Sequence, residues 1–583
     1  MSELRDLALK YALINAVKYG GRARAEAVVS KLFAERPELR TKVGEVLSVV
    51  REVVELVNGM ELREQRELLE SRWPEALSRK PKEEAKGLPP LPNVEKYKVV
   101  KTRFAPNPDF VLTLGNARPA ILSYEYARMY KGKFVLRFED TDPKTKRPLK
   151  EAYELIKEDL RWLGLRWDEE YVQSLRMEIY YRYAEELLKR GKAYVCTCPY
   201  ERIRELRAKG VRCPHANMGP EDALELWDRM LEGGFGEGEA VVRIRTDFAH
   251  PDPSVRDWIA FRIIDTSKYP HPLVGDKYVV WPTYNFACSI DDYEMGISHI
   301  LRAKEHISNT IKQRYVYSHL GWRPPESIHF GRIKLEGLVL SKSWMRRGIE
   351  RGEYESWDDI RLGTLRALRR RGILARTIWD VMLEVGLKPS SATIKLSNLH
   401  AINKKYLEPV ANRYMFVSRP FKALIDHEGE LKAKLPYHPS YPERGYREIV
   451  LRPVDGFIEV YIDGRDGEAL SEGQEFRLMG LGNVKVLKAS EGGVQLALTG
   501  TDLRAVKERS LRIIQWVPTN DNVKVEVMKV RWEDPPSLEM VEGLGEKELL
   551  KLEPGDIVQF VRFGFVRIEE KREGSLRAIY AHD

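Results

Sequence analysis

Cys196, Cys198, Cys213 and His215 lie close together, spaced C-x-C-x14-C-x-H. Three thiolates and an imidazole are a standard tetrahedral set for Zn²⁺, although the one-residue knuckle departs from the usual spacing. The spacing leaves two readings open: structural zinc, or reduced cysteines without a ligand. A second chemical signal is Leu114-Gly115-Asn116, which opens a helical pattern. Free N–H groups and the dipole at a helix N-terminus favour a phosphate, and a glycine lets a nucleotide approach the backbone closely.

The elements around this second signal form a βαβ unit. Residues 97–104 are β-branched and aromatic and predict a strand, and a Pro/Asn/Asp loop follows over 105–109. The helix from Leu114 ends at Lys131-Gly132, and a second strand over 134–138 runs into the acidic turn Glu139-Asp140-Thr141-Asp142. Many βαβ units bind nothing, so the side chains have to carry the argument.

Arg103-Phe104-Ala105-Pro106-Asn107-Pro108, then Leu114-Gly115-Asn116-Ala117-Arg118, then Arg137-Phe138-Glu139-Asp140-Thr141-Asp142-Pro143 together resemble the glutamyl and glutaminyl branch of the class I aminoacyl-tRNA synthetases. One position departs. The family has His where this chain has Thr113. A hydroxyl donates one hydrogen bond but cannot act as an imidazolium beside a triphosphate. The likeness continues through Leu163-Gly164-Leu165-Arg166-Trp167-Asp168 and Pro282-Thr283-Tyr284-Asn285-Phe286-Ala287. Asp291-Asp292 and Gly296-Ile297-Ser298-His299-Ile300-Leu301-Arg302 extend it further. Leu338-Val339-Leu340-Ser341-Lys342-Ser343 resembles the family's K-[ML]-S-K-[SR] loop, with Val339 replacing its first Lys.

The resemblance implies activation of L-glutamate by ATP to an adenylate, followed by transfer to the 3′ end of tRNA(Glu), with tRNA(Gln) as an open second acceptor. Mg²⁺ is implied with ATP. Arg103 and Arg302 would hold substrate carboxylates, Glu139 the α-amino group, and Tyr284 would shape that pocket. Pro106, Asn107, Pro108, Gly115, Asn116, Ser341 and Lys342 would bind ATP, with catalytic roles for Thr113, Asn116 and Lys342. Glutaminyl enzymes resemble this chain but carry a small neutral residue at the place of Arg302. A guanidinium binds a carboxylate through two charge-assisted bonds and offers an amide far less, which assigns glutamate; the alternative is an Arg in a surface ion pair. Some glutamyl enzymes also carry C-x-C…C-x-H in the domain that holds the tRNA acceptor end. Cys288 reads as a small core residue. Two other functions stay open: a glutaminyl enzyme, and a non-catalytic tRNA-binding paralogue, which Thr113 motivates.

With 583 residues, 43% hydrophobic and 32% charged, the chain predicts a multidomain α/β protein. Its net charge of +9 fits a polyanionic partner or a basic surface kept for solubility. Four cysteines do not make a disulfide scaffold. No stretch reads as a signal peptide or a membrane span, so a cytoplasmic protein is expected.

Residues 1–80 read as a helical appendage, with Leu4, Leu7, Ala8, Tyr11 and Ile14 in helical register before Gly20-Gly21. A second apolar segment covers 43–60. A protein or tRNA partner and a purely structural cap both fit this region. A linker is expected over 81–95, and a Rossmann-type catalytic fold over 96–195 and 281–335. The resemblance implies an acceptor-end domain inserted at 196–280 and a helical stem-contact region at 336–410. Short strands between Gly, Asp and Pro turns over 411–583 predict antiparallel β-barrels, which resemble the anticodon-binding half of archaeal and eukaryotic relatives. Arg361, Arg366, Arg369, Arg370, Arg371 and Arg376 read either as a phosphate path or as a solvated basic face.

Overall fold

Val46, Val50, Val53 and Val57 return every three or four residues, and all four are buried on one side of the helix Val43–Asn58. The computed structural model describes residues 2–18, 20–36, 39, 42–73, 87–338 and 341–583, and it divides into two units, Met1–Gly87 and Leu88–Asp583. In the first unit that valine stripe packs with Ala8, Ala12, Leu13 and Ala16 of the helix Ser2–Lys18. Of the residues expected in helical register, Ala8 is fully buried in this stripe, and Leu4, Leu7, Tyr11 and Ile14 are partly buried beside it. Helices Ala25–Glu35 and Leu62–Arg72 complete the unit. Gln65 is fully buried, and its amide nitrogen donates to three carbonyls, those of Gly21, Val57 and Met60, tying the loops together.

Residues 74–80 of the expected appendage and 81–86 of the expected linker lie outside the described residues. The described end of that linker is packed chain. Leu88 and Leu91 join a cluster with Val100, Leu122 and Tyr126. The Tyr126 hydroxyl donates to Pro89 O, and the Tyr130 hydroxyl accepts from Leu91 N.

In the second unit the strand Lys101–Phe104 runs parallel to Lys133–Phe138, which runs parallel to Glu169–Val172. The helix Leu114–Met129 is the crossover. On the other side of Lys101–Phe104, His299–Ala303 runs parallel to Glu326–Phe330. Ser298 N donates to Lys101 O, and Ser298 Oγ accepts from Lys101 N at 2.7 Å. Those two residues are 197 positions apart, and they join the two segments expected to form one Rossmann-type fold. Between the halves lies an antiparallel sheet of Ala193–Cys196, Val241–Ile244, Ile259–Ile263 and Val280–Pro282.

Helices Lys342–Glu350, Leu365–Arg370, Ala375–Val385 and Leu396–Leu407 lead to two seven-stranded sheets. The sheets are interleaved. Arg413–Tyr414 pairs with the late strand Ile557–Phe560, and Phe416–Val417 with Ser537–Glu546, before the chain builds the other sheet from Pro420 onward. Gln515 and Trp516 sit at this crossing: Gln515 Oε1 accepts from Phe416 N, and Trp516 Nε1 donates to Met479 O. Among the described residues no helix is long and apolar enough to cross a membrane.

Candidate active site

The C-terminal ends of the parallel strands open on a cavity of about 850 Å³. Of the residues singled out in the sequence, Arg103, Pro106, Asn107, Gly115, Asn116, Glu139, Tyr284, Arg302, Ser341 and Lys342 line it. Pro108 and Thr113 do not.

Thr113 is the N-cap of the helix Leu114–Met129. Its backbone N–H donates to Asn116 Oδ1 at 3.0 Å, its hydroxyl donates to the same oxygen at 2.9 Å, and Asn116 N donates to Thr113 O. The Thr at this position is spent on shaping the helix start. A Cβ built on Gly115 would meet nothing nearer than Thr113 Oγ1 at 3.7 Å. Packing alone therefore tolerates a side chain there, and what the glycine leaves open is the face toward the cavity.

The floor of the cavity is a buried ionic network. Arg103 donates to Asp292 through Nε at 2.7 Å and Nη2 at 3.2 Å. Arg137, wholly buried, donates to Asp292 at 2.8 Å and to Glu139 at 2.9 Å. Burial pushes the Asp292 carboxyl up, but the two guanidinium groups outweigh it, so its pKa lies below the usual carboxylate value. Cys288, expected only as core filling, is buried and also donates its thiol to Glu139 Oε1 at 2.9 Å. The spacing shows the helix face of Cys288, though not its partner. Tyr284, Cys288 and Asp292 recur every fourth residue and so share one face of the helix Tyr284–Glu294.

Arg302 stands in a different environment. It is 6% exposed, and its Nη2 donates to Thr310 Oγ1 at 2.6 Å and to Gln313 Oε1 at 2.9 Å, both neutral. Its Nε and Nη1 have no protein partner. Among the described residues no carboxylate forms an ion pair with it, so it is not an Arg in a surface ion pair. The neighbouring imidazoles stay neutral. Burial, then the Arg302 charge, lowers His306, and the same causes bring His329 down to about 4.

At the opposite end of the cavity Ser341 caps the helix Lys342–Glu350, and Lys342 Nζ lies 3.3 Å from Asp109 Oδ1. Val339 and Leu340 lie outside the described residues. The six arginines after this loop do not form one solvated basic face. Arg361 is clamped on Asp359, Arg366 on Glu158, and Arg370 on Glu569. Arg371 is buried beneath the ring of Trp532 at 5.0 Å, and burial lowers it to about 9. Arg376 lies over Tyr406.

Away from the cavity, Cys196, Cys198, Cys213 and His215 converge, their ligand atoms all within 4.8 Å of one another. Cys213 Sγ is 3.5 Å from Cys196 Sγ and 3.6 Å from Cys198 Sγ, and His215 Nδ1 is 3.4 Å from both Cys198 Sγ and Cys213 Sγ. A tetrahedron with Zn–S bonds of about 2.3 Å has edges of about 3.8 Å, so these distances fit the ion. His215 Nε2 is held by Thr197 Oγ1 at 3.0 Å, which fixes the ring with Nδ1 toward the thiols.

Three family descriptions match the chain. "tRNA synthetases class I (E and Q), catalytic domain" covers residues 99–409, and two anticodon-binding-domain descriptions of the same group cover 411–499 and 513–569. Similar proteins include a protein named glutamate–tRNA ligase from Thermofilum pendens, 55% identical over the whole of both chains. Proteins of the same name from Pyrobaculum calidifontis and Pyrobaculum islandicum are 55% and 53% identical, again over the full length of each. The chain thus belongs to the glutamyl and glutaminyl (E and Q) family of class I tRNA synthetases.

Proposed function

We infer that this chain is a glutamate–tRNA ligase, and that the residues lining its cavity bind glutamate and ATP as the motifs imply. The observation that carries the reading is Arg302: a buried cation with two unpartnered nitrogens and no acid of its own. A desolvated guanidinium without a counter-charge is costly unless a ligand supplies one. The side-chain carboxylate of glutamate does so through two parallel bonds, whereas an amide offers only half the acceptors and no charge.

Arg103 has Nε and Nη2 on Asp292, which leaves Nη1 for the second carboxylate of the substrate. Glu139, held on one oxygen by Arg137 and Cys288, accepts the α-ammonium, and Tyr284 closes the pocket beside it. ATP enters with Mg²⁺ along Pro106, Asn107 and Gly115, its phosphates near the start of the helix Leu114–Met129, with Ser341 and Lys342 across from them. The glutamate α-carboxylate attacks the α-phosphorus, pyrophosphate leaves, and the terminal ribose hydroxyl of tRNA then attacks the adenylate carbonyl, releasing AMP. Both steps concentrate negative charge, so Lys342 and the helix N-terminus serve by position and charge. Thr113 acts through Asn116, as a positioning residue.

Zn²⁺ at Cys196, Cys198, Cys213 and His215 would be structural, pinning the edge of the inserted sheet that meets the acceptor end. The interleaved sheets after residue 411 read the anticodon. The protein works in the cytoplasm, where its tRNA is. The test is charging of purified tRNA(Glu) and tRNA(Gln) with labelled glutamate and ATP. Charging of tRNA(Glu) supports the reading, and charging of both makes the enzyme non-discriminating. Charging by glutamine instead, or tRNA binding without charging, overturns it.

A further inference from the structure

Arginine has no acceptor. Where its N–H meets an amide side chain, the amide must present oxygen, and that choice propagates. Arg302 Nη2 donates to Gln313 Oε1 at 2.9 Å, so Gln313 Nε2 faces Asn285 Oδ1, at 3.3 Å. Asn285 Nδ2 then donates to Asn309 Oδ1 at 3.1 Å, and Asn309 Nδ2 meets His306 Nδ1 at 3.1 Å. An amide nitrogen only donates, so His306 Nδ1 must accept. The Tyr284 hydroxyl, 3.4 Å from the same Nδ1, adds a second donor.

The ring proton of neutral His306 is therefore on Nε2. Both ends of the chain, Arg302 and His306, line the same cavity. Each offers only N–H groups there. Every link between them is neutral, so nothing in the chain spends the Arg302 charge. Arg103 is the contrast, since Asp292 already neutralises it.

We propose that Arg302, Gln313, Asn285, Asn309 and His306 form a one-way hydrogen-bond chain that presents two donor ends to the substrate side chain. Gln313 is the positioning residue through which glutamate is selected over glutamine. This rests on the reading that Arg302 receives the substrate carboxylate. A carboxylate, all acceptor, satisfies both ends, whereas the –NH₂ of an amide would face N–H groups. An acidic residue at position 313 would accept from Arg302 equally well, but it would cancel the charge and leave Asn285 Oδ1 without its donor. Methionine at 313 loses both hydrogen bonds and adds no charge, so comparing the two variants isolates the charge.

The experiment is amino-acid-dependent ATP–pyrophosphate exchange by the full chain, with tRNA present, for the wild type, Gln313→Glu and Gln313→Met. Gln313→Glu is expected to raise the glutamate KM about 30-fold with kcat within about threefold, and to lower the glutamate-to-glutamine ratio of kcat/KM by a similar factor. Gln313→Met, which loses both the acceptor and the donor but adds no charge, should raise KM only a few-fold and keep the ratio. Equal losses of kcat and KM in both variants would mean a structural role, and an unchanged ratio in Gln313→Glu would overturn the proposal while leaving Arg302 as the binding group. A wild type with no glutamate-dependent exchange would instead defeat the reading of Arg302 itself. In ¹⁵N-histidine-labelled protein, the resonance lost in His306→Asn should be that of a neutral Nε2–H tautomer, and the Nδ1–H form would contradict the chain.

Discussion

Arg103 Nε and Arg137 Nη1 donate to one and the same oxygen, Oδ1 of Asp292, at 2.7 and 2.8 Å. Two buried cations thus share a single carboxylate beneath the cavity, and Glu139 balances the second. Removing that carboxylate leaves a guanidinium buried without compensation, which costs about 3–5 kcal/mol. Asp292→Asn should therefore lower the thermal midpoint by several degrees and raise the glutamate KM, since Arg103 and Glu139 would lose their fixed geometry. Calorimetry and pyrophosphate exchange check this. An unchanged midpoint would mean that the network does not hold the floor.

Cys288 acts on Glu139 and not on substrate. Burial raises its thiol well above the usual value, so it stays protonated and can only donate to the neighbouring carboxylate. Cys288→Ser keeps a donor and should leave the glutamate KM within a few-fold. Cys288→Val, similar in bulk but without a donor, should raise it about tenfold, the worth of one charge-assisted hydrogen bond. A glutamate KM no higher in Cys288→Val than in Cys288→Ser would rule this out.

Asp159 and His400 bend the pH dependence of stability in opposite directions. Burial raises Asp159 from 3.8 to about 7, against the pull of Arg366. The folded state keeps a proton that the unfolded chain has lost, so this contribution is full below about pH 4 and fades as pH rises through about 7. His400 goes the other way. Burial, then His582, lowers it from 6.5 to about 3, so its contribution is full above pH 6.5 and is lost as pH falls. In urea unfolding, Asp159→Asn should gain on the wild type between pH 5 and 8, and His400→Gln should gain between pH 7 and 5. Curves parallel to the wild type would contradict both.

Protein purified without chelator should carry one zinc per chain by metal analysis. Cys213→Ser should lose it, lower the thermal midpoint and weaken tRNA binding more than glutamate activation, because the four ligands lie outside the cavity. Metal-free wild type with full charging activity would exclude the site.

Local strings announced most of the cavity, because R-F-A-P, R-F-E-D-T-D and the segment ending at Arg302 sit at strand ends that a βαβ fold brings together. The capping role of Thr113 was legible too. Thr followed three residues later by Asn116 is a helix-start pattern as much as a catalytic one. What the sequence hid are pairings across long separations. Cys288 meets Glu139 from 149 residues away, and Arg371 at the end of its helix lies against the ring of Trp532, just past the strand Asn522–Arg531. In the first helix only Ala8 of the expected register is fully buried, because small alanines together with Leu13 fit against the valine stripe.

The interleaved sheets set an order of assembly. Arg413–Val417 is made first, and its hydrogen-bonding neighbours Ser537–Glu546 and Ile557–Phe560 follow only more than a hundred residues later. During synthesis the first edge must wait, unpaired, while the intervening sheet folds beside it. The residues that line the cavity, the last of them Lys342, are thus all made well before the interleaved sheets can close. Loss of Ser537–Glu546 and Ile557–Phe560 would expose an unpaired, aggregation-prone edge more than a hundred residues upstream.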